Sequence, residues 1–80
     1  MAGGLVLYTR AGCHLCHDML AAARPIAQEH GLEIVLVDID DDLKLAARYN
    51  LNIPVLELDG HEVCHHFLDQ AALERALAER

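Results

Sequence analysis

The sequence predicts an α/β fold, a four-stranded mixed sheet flanked by helices in the order β-α-β-α-β-β-α. Three observations carry this. The apolar runs within Leu5–Tyr8 and Glu33–Ile39 do not alternate with polar residues, which marks strands covered on both faces. A stretch of helical period separates them, making a β-α-β unit. Further on, Asp59-Gly60 is a two-residue hairpin signal between two short strand-like segments.

Taken in order, Leu5-Val6-Leu7-Tyr8 is the first strand and a central one. Ala11-Gly12 turns the chain, and from Cys13 onward Leu15, Met19, Leu20, Ala22, Ala23, Ile26 and Ala27 fall at helical spacing, so Cys13 sits at a helix N-terminus. Pro25 lies inside this pattern and predicts either a kink or a helix ending near Arg24. Gly31 follows as a C-terminal stop. The segment Glu33 to Ile39 is β-branched and is expected to be buried and parallel to the first strand. Asp40-Asp41-Asp42 lacks the glycine and closing glutamate of a calcium loop, so it reads as carboxylates capping a helix from Leu43 to Tyr49. Ile53-Pro54 opens the third strand, Val55 to Leu58, where apolar and polar residues begin to alternate. His61 to Cys64 returns antiparallel as a charged edge strand. Asp69 is the N-cap of a last helix, Gln70 to Arg80, with Leu68 and Leu73 as a hydrophobic staple and Leu73, Ala76 and Leu77 inward.

Eighty residues with 54% hydrophobic content suffice for one modest core, so one domain over residues 1–80 is expected. Met1-Ala2-Gly3-Gly4 has no basic region, and the first apolar run is too short for a signal peptide or a membrane span, which predicts a cytoplasmic protein with no membrane partner. Thirteen acidic against six basic residues give a net charge of −7, which repels a phosphate backbone and argues against nucleic acid. Three cysteines in a reducing compartment are poor staples, so Cys13-His14-Leu15-Cys16 is read as redox-active or metal-binding.

A helix N-terminus stabilises a thiolate and can lower a cysteine pKa from about 8.5 to roughly 3.5–7.5, and Cys13 holds that place. Cys16, one turn later, is the more buried partner, placed to attack a mixed disulfide on Cys13. Arg10, with His14 and His17 when cationic, favours the thiolate further. Tyr8 is near enough in sequence to line the site, although Tyr8 and Tyr49 both read first as packing residues with solvent-facing hydroxyls. If the third strand starts beside the cysteine pair and runs away from it, the fourth runs back and brings Cys64, His65 and His66 to the same edge.

The segment Leu7-Tyr8-Thr9-Arg10-Ala11-Gly12-Cys13-His14-Leu15-Cys16 resembles the active-site segment of glutaredoxins, in the thioredoxin superfamily. Ile53-Pro54 matches the strand-opening cis-proline that faces the cysteine pair in that family. The resemblance covers nearly the whole chain and implies one glutaredoxin-like domain, active in cell redox homeostasis. It implies a dithiol thiol-disulfide oxidoreductase that acts on glutathione or a protein disulfide. An external reductant, glutathione or a thioredoxin-reductase-type enzyme, resets it, and no bound cofactor is required. By the same resemblance the backbone of Ile53 pairs with the substrate chain, and Arg10 matches a lysine that holds a glutathione carboxylate. Two segments depart from the family: His14-Leu15 stands where Pro-Tyr is common, and Cys64-His65-His66-Phe67-Leu68-Asp69 replaces a Gly-Gly-acidic sequence.

Two rival readings use the same residues. Cys13, Cys16 and Cys64 with His65 or His66 make a Cys₃His set that would suit zinc or an iron-sulfur centre. Cys13-His14-Leu15-Cys16-His17 also spells the haem attachment pattern, against which stand the missing export signal and a core with no room for haem.

Overall fold

The computed structural model describes residues 4–80. The expectation that the N-terminus carries no leader falls in part on Met1 to Gly3 and lies outside the described residues. The elements run β1 (Leu5–Thr9), α1 (His14–Glu29), β2 (Ile34–Asp38), a 3-10 turn (Ile39–Asp41), α2 (Leu43–Tyr49), β3 (Val55–Leu58), β4 (His61–His65) and α3 (Gln70–Ala78). They form one mixed sheet in the order β2-β1-β3-β4, with β1 parallel to β2 and antiparallel to β3, and β4 antiparallel to β3. This is the α/β architecture expected from the sequence, a thioredoxin-like fold.

Side-chain alternation along β1 splits the core in two. Leu5 and Leu7 join Leu56, Leu58 and Cys64 on one face, under Met19, Ala23, Ile26 and Ala27 of α1 and Leu73 and Leu77 of α3. Val55 lies on the other face with Ile39 and Tyr49, and Tyr8, Leu45 and Ile53 pack around them. Pro25 does not end α1, because the stripe Met19, Ala23, Ile26, Ala27 stays buried on both sides of it. That packing offsets the roughly 3 kcal/mol that an internal proline costs. The helix ends at His30 and Gly31. The Leu32 amide donates to the Ala27 carbonyl and the Gly31 amide to that of Gln28, while Gly31 takes φ +69°, a left-handed value that a side chain disfavours.

Caps close the other helices as the sequence predicts. Asp42 accepts from the Lys44 amide at 2.8 Å and Asp69 from that of Ala72 at 3.0 Å, and Leu68 and Leu73 both join the main core. Asp59 and Gly60 both have positive φ, the conformation of the tight hairpin turn between β3 and β4.

Three expectations are overturned. Strand β2 is not buried: Val35 is 57% and Leu36 50% exposed. Among the described residues it pairs with β1 alone, at the edge of the sheet. Strand β3 does not alternate toward solvent, since all four of its residues are buried, Glu57 included. Finally, the Tyr49 hydroxyl does not face solvent. It donates to a Glu57 carboxylate oxygen at 2.8 Å, with its ring stacked on Tyr8 at 4.2 Å between centroids.

Burial, reinforced by the bond to Glu57 and by its charge, pushes the Tyr49 phenol above its usual range. Tyr49→Phe should lower unfolding stability by ~1–3 kcal/mol in urea titrations, because it strips a buried carboxylate of its donor. The sign of the pH effect follows from the raised value. The folded chain keeps a proton that the unfolded chain releases, so this stabilisation is complete below about pH 10 and declines above it. Stability measured upward from that pH should fall more steeply in the wild type than in Tyr49→Phe.

Candidate active site

Strand β1 ends at Thr9, and three residues carry the chain over the sheet edge to Cys13. Gly12, with φ +76°, makes the reversal that lets α1 start directly above the strand end. The Cys13 amide donates to the Arg10 carbonyl at 3.2 Å, which closes the turn. Cys13 is the N-cap of α1, and its sulfur accepts the Cys16 amide at 3.1 Å. A sulfur thus takes the place usually filled by a capping oxygen and faces the unpaired amides of the first turn. Cys16 is buried, Cys13 is half-buried, and the two are joined as a disulfide with their Cα atoms 5.2 Å apart.

The other residues singled out in the sequence fall into three groups. Arg10 is engaged: its Nε and Nη2 donate to the two carboxylate oxygens of Asp40, each at 2.9 Å. His14 and His17 are exposed on the first turns of α1, and the His14 imidazole lies 4.0 Å from the Asp18 carboxylate. Both flank a groove of about 430 Å³ on the β2 side of the disulfide, lined also by Leu7, Cys13, Leu20 and Leu36.

Across the sheet, the Ile53–Pro54 peptide is cis, and Pro54 is buried. Val55 pairs with Tyr8, so Pro54 lies at the sheet end from which β1 leads to Cys13. The loop before it is tied to the end of β4. The His66 amide donates to the Pro54 carbonyl at 2.9 Å, and the His66 imidazole Nε2 lies 2.8 Å from the Leu51 carbonyl. Tyr8 is half-buried, stacked on Tyr49 beneath this loop.

Cys64 lies at this end of the sheet, next to His65, whose partner is Val55, but its side chain points into the main core. Burial pushes its thiol up from the usual cysteine range. His65 is held by Glu62, with its Nδ1 2.7 Å from the carboxylate. The Cys₃His set of the metal reading is therefore not assembled in this structure. Cys13 and Cys16 are bonded to each other, Cys64 packs in the core, His65 and His66 have other partners, and no three His, Cys, Asp or Glu side chains converge on a metal position among the described residues.

Sequence reasoning missed Asp40, Glu57, the groove wall at Leu36 and the bracing role of His66. Asp40 had a findable signal: in a parallel β1–β2 pair, the residues just beyond both strands meet at one end, which brings Arg10 to the aspartate run. The others needed the sheet order.

Residues 4–78 match the family model described as a glutaredoxin-like domain. An uncharacterised protein of Mycobacterium tuberculosis is 29% identical over 77 residues, covering 90% of this chain and 79% of that protein. The solution structure of Nitrosomonas europaea protein Ne2328 is 35% identical and superposes with a TM-score of 0.81 over 95% of this chain and 92% of its own. The crystal structure of protein XcR50 from X. campestris is also 35% identical, with a TM-score of 0.73 over 96% and 99% of the two chains. Thioredoxin 1 of Thermosipho africanus, at 20% identity, has a TM-score of 0.63 over 95% of this chain and 96% of its own, which shows a shared fold.

Because Cys64 is both buried and held protonated, iodoacetamide at about pH 8 should label it at least ~10-fold more slowly in the folded protein than in the denatured chain. Mass mapping of timed alkylation checks this, and equal rates in the two states would contradict the burial.

Proposed function

We propose that this chain, which belongs to the glutaredoxin-like domain family, is a thiol-disulfide oxidoreductase working by a dithiol mechanism. The observation that carries the reading is the placement of Cys13 as a sulfur N-cap of α1 with buried Cys16 at disulfide distance one turn inside. In the reduced state the amides and dipole of the helix start favour the Cys13 thiolate, which is the nucleophile of disulfide exchange.

The Cys13 thiolate attacks one sulfur of a substrate disulfide, forms a mixed disulfide and expels the other sulfur as a thiolate. The Cys16 thiolate then attacks Cys13, restores the Cys13–Cys16 disulfide and releases the second substrate thiol. Two electrons pass from the protein to the substrate, and an external reductant, glutathione or a reductase, returns them. Burial of Cys16 reserves it for this second step. Ile53 would offer its backbone and Pro54 its ring from the sheet end that leads to the pair, and the tie from His66 to Leu51 and Pro54 holds that loop in place. Such chemistry suits a cytoplasmic setting, where reductant is abundant. Among the described residues no helix is long and apolar enough to cross a membrane.

Glutathione as a substrate meets one obstacle. Arg10, the cation best placed for a glutathione carboxylate, is already bidentate to Asp40. The reading therefore favours a protein disulfide, with glutathione in competition with an internal carboxylate.

Two experiments test this. In glutathione buffers of graded potential, Cys13 and Cys16 should interconvert as one two-electron couple. Cys13→Ser should abolish exchange, while Cys16→Ser should accumulate a mixed disulfide on Cys13. Equal residual activity in the two variants would defeat the reading. Asp40→Asn should raise the rate with glutathione disulfide a few-fold relative to the neutral bis(2-hydroxyethyl) disulfide. A parallel change with both compounds would show that Arg10 does not receive the carboxylate.

A further inference from the structure

We propose that β2 is a docking edge for an extended segment of a partner protein, apolar at alternate positions and basic at the end that lies nearest the disulfide. Among the described residues β2 pairs only with β1, so one row of its backbone donors and acceptors is unpaired. Such edges are usually guarded by charge, proline or a bulge, yet four of the five residues of β2, Ile34-Val35-Leu36-Val37, carry none of these, its one charge is Asp38 at the C-terminal end, and its register with β1 is regular over five residues. The opposite edge, β4, is guarded by His61, Glu62 and His65 and has a register shift against β3. The contrast singles out β2 as the edge open to strand addition.

Two observations define the occupant. The first is continuity with the disulfide. Leu36 walls the groove that also holds Leu7, Leu20 and both cysteines, so alternate side chains of an added strand would project into an apolar trough leading to Cys13. The second is charge. Arg10 is matched by Asp40, and what remains at the C-terminal end of β2 is Asp38, Asp41 and Asp42, against Lys44 alone. At the other end Glu33 shares a groove with Arg24 and is roughly balanced. The acidic end is the site end, because Asp38 pairs with Thr9, where β1 leads toward Cys13. A basic residue there would be drawn in, and an acidic segment repelled. A second copy of this chain is less suited. Each copy carries a net charge of −7, and antiparallel self-pairing about Leu36 would set Glu33 of one chain against the Asp38 end of the other.

That the docked segment is a disulfide substrate rests on the redox reading above, whereas the docking itself does not. The test is therefore an amide-resolved NMR titration of the disulfide-bonded full chain with a cysteine-free peptide of about eight residues, enough to span β2, alternating valine and threonine with two lysines at one end. Shifts should centre on residues 34–38 and on Leu20. Replacing the lysines by glutamates, or Leu36→Lys in the protein, should each weaken binding at least ~10-fold. Leu36 is half exposed, so its substitution leaves the core intact, and the charge-swapped peptide needs no variant at all. Shifts centred on β4 or on residues 51–54, indifference to peptide charge, or sedimentation of the free protein as a dimer that Leu36→Lys disperses would each overturn the proposal. The same peptide carrying a cysteine as its 2-mercaptoethanol disulfide, added to the protein with Cys13 and Cys16 first reduced to the dithiol, separates the two readings. Binding at β2 without reduction would refute only the redox assignment, and reduction without binding at β2 would refute only the docking edge.

Discussion

The site depends on a single junction, the hydrogen bond from the Cys16 amide to the Cys13 sulfur at the start of α1. A helix leaves its first amides without partners, and the chain satisfies one of them with the Cys13 sulfur, the atom that carries negative charge in the proposed exchange. The arrangement works only if α1 begins where β1 ends. Leu5 and Leu7 on β1, with Met19 and Ala23 on α1, fix that alignment by burial, and each of these is at most 2% exposed. Core packing thus sets where the helix starts, the helix start sets which sulfur sits in the cap, and in the proposed exchange the cap sets which cysteine is the nucleophile.

On the reverse face of the sheet a second layer supports the other half of the site. Glu57 is a carboxylate within an otherwise apolar strand, and its partner is the Tyr49 hydroxyl at the end of α2. Tyr49 in turn stacks on Tyr8 of β1, and Val55 and Ile53 pack against the same pair. A buried polar pair of this kind adds little net stability, but its geometry is demanding, because a misplaced partner leaves a charge unsolvated. It therefore ties α2, β1 and β3 into one arrangement just beneath the Ile53–Pro54 loop, which His66 braces from the side. Among the described residues no buried polar side-chain atom lacks a partner, so the layer is complete as built.

How much of this could be read from the sequence depends on the range of the interaction. Strand and helix order, the Asp42 and Asp69 caps, the Gly31 stop and the Asp59-Gly60 turn are written in neighbouring residues, and the structure has them in place. The cysteine pair was legible for the same reason. The misses all involve partners far apart in the chain. Apolar residues in β2 look the same whether the strand ends up in the middle of a sheet or at its edge, so the exposure of Val35 and Leu36 was invisible until β3 was found on the other side of β1. Arg10 read as a free cation because its partner is 30 residues away. The burial of Glu57 was invisible because the alternation from Val55 to Leu58 says which faces differ, without saying that both are covered. Cys64 came to the expected end of the sheet, but the face it points to follows from its pairing with Leu56, which a local pattern does not specify.

The same distinction explains why charge and hydrophobicity around the disulfide serve different ends. An excess of seven negative charges gives a background repulsion to any anionic substrate, and the Asp40 carboxylate occupies the one arginine beside the cysteines. Exposed electrostatics of this type act mainly on encounter and discrimination. The contact energy available near Cys13 is instead apolar, in the wall made by Leu7, Leu20 and Leu36 and, around the other side of α1, in a smaller groove between Leu15, Met19 and Phe67. A thiolate held by a helix start needs no cation from the substrate to form, so the surface beside it is free to select by shape and hydrophobic contact. On the proposed reading, a surface with its arginine neutralised and its apolar walls open is better matched to a polypeptide than to a small anionic thiol.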